Sequence, residues 1–126
     1  MTSPCRQVLI VDDVPVNRKL ALAFFAKLGW TAADVGGGFA ALEWISTHPE
    51  LDLVLLDIQM PDLGGEEVCK RLRENPLFTK LPIVAYTAHA MQIDVERFLA
   101  NGFDNVLIKP ISLQGLKDVI AVVFPE

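Results

Sequence analysis

The stretch LDLVLLDIQMPDLGG, residues 51–65, decides the fold. Its centre, Leu53 to Leu56, is a continuous apolar run that ends at Asp57, and Pro61, Gly64 and Gly65 follow in the loop beyond it. A short strand that is apolar at every position is typical of a parallel sheet covered on both faces. The stretch therefore predicts a buried strand followed by a loop that carries an acidic residue.

Four more segments of the chain have the length and composition of strands. We predict them at Val8 to Val11, Thr31 to Val35, Ile83 to Tyr86 and Val106 to Ile108. The segment from Thr31 is the most polar, which suits a strand at the edge of a sheet. Because helix-period segments separate the strands, we predict an α/β fold of the flavodoxin-like type, a doubly wound parallel sheet of five βα units with strand order 2-1-3-4-5.

The segments between the strands carry apolar residues at spacings of three and four, as amphipathic helices do. Pro15 suits the first position of a helix, and Gly29 and Gly102 suit helix C termini. Asn75-Pro76 is expected to end the third helix and Ser112 to cap the fifth. The predicted buried stripes are Leu20, Phe24 and Leu28; Ala41 and Ile45; Val68 and Leu72; Met91, Val95, Phe98 and Leu99; and Leu113, Leu116, Ile120 and Val123.

Length and composition indicate a single domain spanning residues 1–126, with a core of about 7–124. A chain of 126 residues that is 52% hydrophobic buries enough surface to fold without disulfides. Its two cysteines, Cys5 and Cys69, show no metal-ligand spacing. We therefore expect a reducing, cytoplasmic location.

Charge and hydropathy exclude two classes of function. The 11 basic and 16 acidic residues give a net charge of −5, so the chain lacks the basic surface that direct nucleic-acid binding needs. The longest apolar run, Leu20 to Ala26, is far shorter than the roughly 18 residues of a membrane span. We expect no nucleic-acid contact and no membrane segment.

The residues just beyond the predicted strands are the candidate functional residues, because parallel sheets bind ligands at the carboxyl ends of their strands. Asp12 and Asp13 follow the first strand, Asp57 the third, Thr87 the fourth and Lys109 the fifth. Taken singly, the aspartates equally suit a cap on the first helix and the start of a turn.

As a set, the three carboxylates indicate a metal site. Two carboxylates about 4 Å apart repel by about 1 kcal/mol in water and about 4 kcal/mol at an effective dielectric of 20. A cation relieves that repulsion, and Mg²⁺ suits an oxygen-rich site that also receives phosphate oxygens. An acidic site with a lysine and a hydroxyl points to phosphoryl chemistry in which a carboxylate is the nucleophile.

Four blocks of sequence carry a family resemblance. VLIVDDVPVNR at 8–18, LVLLDIQMPDLGG at 53–65, IVAYTAHAM at 83–91 and GFDNVLIKPIS at 102–112 together resemble the receiver (response regulator) domain of two-component and phosphorelay signalling. The PVNR and DIQMP forms are most similar to receivers of hybrid histidine kinases. The resemblance extends from Val8 to about Phe124.

The resemblance implies a Mg²⁺ site and a phosphorylation site. Asp13 and Asp57 would bind Mg²⁺ directly, the backbone carbonyl of Gln59 would be a further ligand, and Asp12 would act mainly through water. Asp57 would accept a phosphoryl group from a phosphohistidine on a histidine kinase or a histidine phosphotransfer domain. Such a domain catalyses its own phosphorylation and dephosphorylation.

The remaining implied roles concern the response to phosphorylation. Thr87 would donate its hydroxyl to a phosphoryl oxygen, and Lys109, joined to Pro110 by a cis peptide bond, would pair with the carboxylate or the phosphoryl group. Phosphorylation would then change binding to an effector protein or an attached domain. Val106 stands where many receivers have a switch aromatic, so that part of the response is in question.

Two alternatives remain at this point. A phosphate-independent pseudo-receiver would keep the fold as an interaction module without using the acidic site. Gly36-Gly37-Gly38-Phe39-Ala40-Ala41 also matches the dinucleotide-binding pattern G-x-G-x-x-A, with Asp57 lying 57 − 36 = 21 residues further on. That motif, however, follows a predicted edge strand and not the switch point of the sheet.

Overall fold

Strands and helices alternate along residues 6–125, the part of the chain that the computed structural model describes. A short 3-10 helix, Pro76–Phe78, is the one element in this range that the sequence pattern did not predict. In chain order the other elements are β1 (Gln7–Val11), α1 (Pro15–Lys27), β2 (Thr31–Val35), α2 (Gly38–Ser46), β3 (Leu53–Asp57), α3 (Gly65–Glu74), β4 (Ile83–Thr87), α4 (Gln92–Ala100), β5 (Asn105–Ile108) and α5 (Leu113–Val123).

The five strands form one parallel sheet in the order β2-β1-β3-β4-β5, which confirms the predicted topology. Val11 pairs with Leu56, and Thr87 pairs with Ile108. The carboxyl ends of β1, β3, β4 and β5 are therefore level with one another. This register brings the residues that follow these strands to one edge of the sheet.

Successive side chains of each strand point to opposite faces of the sheet, and each face has its own apolar core. On β3, Val54 and Leu56 pack with buried residues of α2, α3 and α4. Leu53 and Leu55 pack with buried residues of α1 and α5. Because both faces are covered, the central strand β3 is buried along its whole length, as its continuous apolar sequence predicted.

The predicted helix boundaries are confirmed. Pro15 is the first residue of α1, and Gly29 and Gly102 adopt positive φ angles of 86° and 107° just beyond α1 and α4, where glycine is favoured. Asn75 follows the last residue of α3, and its side chain caps the 3-10 helix that begins there. The Ser112 hydroxyl accepts a hydrogen bond from the Gly115 amide at 3.0 Å and caps α5.

The predicted buried faces of α1 and α4 are wrong in part. In α1 the fully buried residues are Ala21 and Phe25, whereas Leu20 is 42% exposed. In α4 only Phe98 is buried, and Leu99 is 46% exposed; Met91, the residue just before α4, is 72% exposed. Apolar residues surround most of α1, so spacing alone could not select which of two adjacent faces contacts the sheet.

No helix within residues 6–125 is long and apolar enough to cross a membrane. Cys69 is a free, buried cysteine of the α3 core. Cys5 lies outside the described residues.

Candidate functional site

Three aspartates meet at the carboxyl edge of the sheet. Because β1 and β3 are adjacent, Asp12, Asp13 and Asp57 each place a carboxylate oxygen within 4.8 Å of the others. Asp12 is 0% exposed and Asp57 4% exposed, whereas Asp13 is exposed to solvent. The site thus combines two buried carboxylates with one that remains open to solvent.

Lys109 neutralises part of this charge. Its Nζ lies 3.0 Å from Oδ2 of Asp12 and 3.2 Å from Oδ1 of Asp57. The ammonium also lies 4.8 Å from the centre of the buried Tyr86 ring, a cation–π contact that keeps it at the edge of the core. The Lys109–Pro110 peptide bond is cis, as the resemblance implied.

Asp12 is positioned by its loop and does not cap α1. Its Oδ1 accepts a hydrogen bond from the Val14 amide at 2.9 Å, but Val14 is the N-cap residue and makes no side-chain cap. The capping hypothesis for Asp12 and Asp13 is therefore wrong. Asp12 Oδ2 is buried, and among the described residues its close polar contact is the ion pair with Lys109, without a directed hydrogen bond.

Burial and the neighbouring charge of Asp12 raise the pKa of Asp57 from 3.8 to about 6, against the opposing effect of Lys109. Burial alone would lower the pKa of Lys109, but its contacts with Asp12 and Asp57 outweigh burial and raise it. At neutral pH the site therefore holds an ionised Asp57 beside a protonated lysine. The hypothesis that Asp57 begins a turn also holds, because its Oδ1 accepts a hydrogen bond from the Gln59 amide at 3.3 Å.

Thr87 lies at the same edge, but its hydroxyl is bonded within its own loop. The hydroxyl donates to the His89 carbonyl at 3.0 Å and accepts from the His89 amide at 3.2 Å. Thr87, His89 and Gln59 line one cavity of about 400 Å³ together with Asp57 and Lys109. The Thr87 hydroxyl can donate to a ligand in this cavity only if it exchanges the His89 carbonyl for the new partner.

Arg18 supports the site and was not predicted from the sequence. Its Nη1 donates to the Asp12 carbonyl at 2.8 Å, and its Nε donates to Asp34 Oδ2 at 2.8 Å. The guanidinium thus ties the loop after β1 to β2. Arg18 belongs to the PVNR block, but its partner Asp34 is distant in sequence, and no local pattern marks the pair.

Asp62 is a second residue that sequence analysis missed. Its two carboxylate oxygens accept hydrogen bonds from the amides of Gly38 and Phe39, each at 3.1 Å. The carboxylate therefore occupies the N terminus of α2, where a dinucleotide pyrophosphate would bind in the G-x-G-x-x-A interpretation. The dinucleotide alternative is not supported by this geometry.

The rim of the cavity is formed by α4. Arg97 donates to both carboxylate oxygens of Glu66 on α3 at 3.3 Å and to Asp94 at 3.2 Å. Asp94 and Arg97 both line the cavity that contains Asp57.

Val106 packs against the core shared by α2, α3 and α4 and is half-buried.

A comparison with protein families matches residues 8–121 to the response regulator receiver domain. The chain belongs to this family. Receiver domains are the phosphorelay components of two-component signalling, so the chain is a signalling domain of that system.

Curated relatives of this receiver domain are sensor histidine kinases. It is 39% identical over 123 residues to GacS of Pseudomonas protegens, covering 95% of this chain and 13% of that protein. It is 36% identical over 115 residues to RcsC of Salmonella typhi, covering 91% of this chain and 12% of that protein. The receiver domain thus spans about an eighth of the length of the curated relatives it matches.

Solved structures agree with this assignment. The chemotaxis response regulator CheY4 of Vibrio cholerae shares the fold with a TM-score of 0.89 at 23% identity, covering 96% of this chain and 100% of that one. The receiver domain of the sensor histidine kinase PA1611 from Pseudomonas aeruginosa, described with a magnesium ion in its active site cleft, has a TM-score of 0.84 at 28% identity, covering 95% and 98%. The complex of the Saccharomyces cerevisiae phosphotransfer protein Ypd1 with the Ssk1 receiver domain matches with a TM-score of 0.82 at 29% identity, covering 96% and 90%.

Proposed function

We propose that this receiver domain accepts a phosphoryl group on Asp57 from a phosphohistidine and thereby changes its binding to a partner. The observation that carries the proposal is the position of Asp57: a buried carboxylate 3.2 Å from the Lys109 ammonium, beside two further carboxylates and open to a cavity of about 400 Å³. A carboxylate oxygen of Asp57 attacks phosphorus, the bond from phosphorus to the histidine nitrogen breaks, and the imidazole leaves. Asp57 must be ionised for this step, and at pH 7 it is, because its pKa is about 6.

The donor set fits Mg²⁺. Carboxylate oxygens from Asp12, Asp13 and Asp57 lie within 4.8 Å of one another, and Asp12 Oδ2 is buried without a directed hydrogen bond from the described residues. Asp13 and Asp57 would hold the ion together with the Gln59 carbonyl, and Asp12 would act mainly through water. Bound Mg²⁺ would offset the negative charge that accumulates on the phosphoryl oxygens.

Lys109 and Thr87 act on the phosphorylated state. The Lys109 ammonium, already shared by Asp12 and Asp57, pairs with the phosphoryl group and compensates part of its two negative charges. The Thr87 hydroxyl leaves the His89 carbonyl and donates to a phosphoryl oxygen. This exchange moves the loop after β4, and through it α4, so that the surface available to a partner changes.

The proposed donor is a histidine kinase or a histidine phosphotransfer domain. The sensor kinases among the relatives and the Ypd1 complex of the Ssk1 receiver support this choice. The phosphorylation-dependent partner is an effector protein or an attached domain. We further propose that residues 7–124 form the core of one domain that works in the cytoplasm, where phosphohistidine donors are made from ATP.

Treatment with acetyl phosphate, a small phosphoryl donor, tests the proposal. With Mg²⁺ present, intact-mass spectrometry should show a gain of one phosphoryl group that is labile to base and hydroxylamine, as an acyl phosphate is. Peptide mapping should place it on Asp57, and Asp57→Asn should abolish it. Asp52→Asn is the matched control, because Asp52 lies at the other end of β3 and should leave phosphorylation intact.

Two outcomes would contradict the proposal. Phosphate on a serine, threonine or histidine would assign a different chemistry to the site. No phosphorylation of the folded wild-type protein by acetyl phosphate with Mg²⁺ present would favour the pseudo-receiver alternative.

A further inference from the structure

The loop between β3 and α3, residues 58–64, carries Gln59 and is held on both sides of that residue. The Gly65 amide donates to the Ile58 carbonyl at 2.9 Å. Gly65 also packs so closely on the Asp57 carbonyl that a Cβ at this position would clash with it. Met60 is buried in the core shared with α2 and α3. These contacts fix the start and end of the loop.

The middle of the loop is held by a different element. Asp62 reaches the N terminus of α2, where its two oxygens accept the Gly38 and Phe39 amides at 3.1 Å each. These amides belong to the first turn of α2, which has no side-chain cap from its own N-cap residue, Gly37. The carboxylate of Asp62 therefore supplies from a distant loop the anion that a helix N terminus favours.

The two glycines at the start of α2, Gly37 and Gly38, allow this loop to approach the helix closely. A Cβ at Gly37 would lie 2.7 Å from Asp62 Oδ2, and one at Gly38 would lie 2.6 Å from the Leu63 carbonyl oxygen. Both separations are too short for a real Cβ contact, so a side chain at position 37 would displace the Asp62 carboxylate and one at position 38 would displace the loop backbone at Leu63. The glycine motif that resembles a dinucleotide site thus serves as an internal docking point for residues 62 and 63.

We propose that Asp62 is a positioning residue for the metal site: by clamping the loop to α2 it holds the Gln59 carbonyl in place as a Mg²⁺ ligand. The inference rests on the proposed function, because it requires Mg²⁺ at Asp13, Asp57 and Gln59. Mg²⁺ demands near-octahedral geometry and tolerates little displacement of a ligand. Without the clamp, the loop has more conformations to lose when the ion binds, and affinity falls.

Thermal unfolding with increasing Mg²⁺ separates this role from a merely structural one. The melting temperature in EDTA reports stability, and its rise with Mg²⁺ gives the dissociation constant by mass action. Asp62→Ala removes the clamp, whereas Asp62→Asn keeps one oxygen acceptor. Asp52→Ala is the matched control: Asp52 Oδ2 accepts the Gln7 amide at 2.7 Å, and it lies roughly 16 Å from Asp57 along β3.

We expect all three variants to melt at lower temperature than the wild type in EDTA. The Mg²⁺ dissociation constant should rise about five- to twentyfold in Asp62→Ala, which is the cost of ordering roughly one further residue when the ion binds. The rise should be smaller in Asp62→Asn and less than about twofold in Asp52→Ala, where the loop stays clamped. Each variant loses one negative charge, and 150 mM KCl screens the long-range effect of that loss on Mg²⁺ binding.

An unchanged dissociation constant in Asp62→Ala would overturn the inference while leaving the metal site intact. An equal rise in Asp52→Ala would also overturn it, since the effect would then follow charge or stability. If the wild type gains no stability from Mg²⁺, the proposed metal site itself fails, and this inference fails with it.

Discussion

Replacing Asp57 with asparagine should stabilise the protein when no metal is bound. The side chain is isosteric, and the change removes a buried charge whose pKa is raised from 3.8 to about 6 by burial and by Asp12. A rise of this size corresponds to roughly 3 kcal/mol of unfavourable free energy for the ionised group at neutral pH. Asparagine also loses the charge contact with Lys109, but Lys109 keeps Asp12 at 3.0 Å. We therefore expect a net gain of about 1 to 3 kcal/mol.

The gain should depend on pH with a definite sign. Below the unfolded-state pKa of 3.8 the Asp57 carboxyl is protonated in both states, so wild type and Asp57→Asn should differ little. Between pH 3.8 and about 6 the unfolded protein ionises Asp57 while the folded protein still holds the proton, so the wild type loses stability relative to the variant as pH rises through this range. The difference should therefore grow between pH 4 and pH 6 and stay constant above about pH 7.

Urea unfolding in EDTA from pH 4 to pH 8 measures this difference. In a thermal unfolding experiment under the same conditions, a gain of about 1 kcal/mol corresponds to a rise in melting temperature of roughly 3 to 5 °C for a domain of this size. Millimolar Mg²⁺ should then stabilise the wild type strongly and Asp57→Asn weakly. If Asp57→Asn instead loses more than about 1 kcal/mol at pH 7, the charge contact between Asp57 and Lys109 outweighs the cost of burying the carboxylate, and the electrostatic reasoning is refuted.

Four further predictions concern Lys109, Thr87, Val106 and Arg18. Lys109→Ala should lower the free energy of unfolding by about 3 kcal/mol, because Asp12 is left buried without its partner. Urea unfolding at pH 7 measures this loss. A loss below about 0.5 kcal/mol, which is roughly the experimental error, would contradict the prediction. Thr87→Ala should leave phosphorylation by acetyl phosphate nearly unchanged but reduce the amide chemical-shift changes that beryllofluoride causes in α4; equal shifts in both proteins would show that Thr87 does not couple the site to α4. In the wild type those shifts should be small near Val106, and large shifts there would mean that the switch does not need an aromatic residue. Arg18→Ala should lower the free energy of unfolding by about 1 to 2 kcal/mol, because the bond to the Asp12 carbonyl is lost and the partly exposed pair with Asp34 adds little. Arg18→Lys should not restore this loss, because lysine lacks the forked donors. Urea unfolding of both variants measures the effect, and full restoration by lysine would contradict the reasoning.

The strands β1, β3, β4 and β5 were predictable because their sequences are nearly continuously apolar. β2 was predicted at its observed bounds, and the other four differ by one residue at one end. For β1, β3 and β4 this accuracy follows from burial on both faces, which leaves few polar residues inside a strand, whereas the edge strand β2 is only partly buried. The residues after the strands, Asp12, Asp57 and Lys109 among them, followed directly, because parallel strands end at one edge.

The residues that sequence analysis missed form hydrogen bonds with partners that are far away in the sequence. Asp62 binds amides 23 and 24 positions earlier, and Arg18 pairs with a residue 16 positions later. Such contacts depend on how two loops approach in space, and neither residue type marks them locally. The buried face of α1 was missed for the opposite reason: Leu20, Ala21, Phe24 and Phe25 all suit a core, and only packing decides among them.

The amino-acid sequence of α4 is constrained by the protein core at one position, Phe98. It is the one buried residue of this nine-residue helix, and six of the other positions are exposed. Substitutions at exposed positions usually change stability by less than about 0.5 kcal/mol. In the proposed function, where partners respond to α4, divergence at these exposed positions alters which proteins are recognised while the core is inherited unchanged, so that duplicated copies of such a domain can acquire separate partners without first losing their fold.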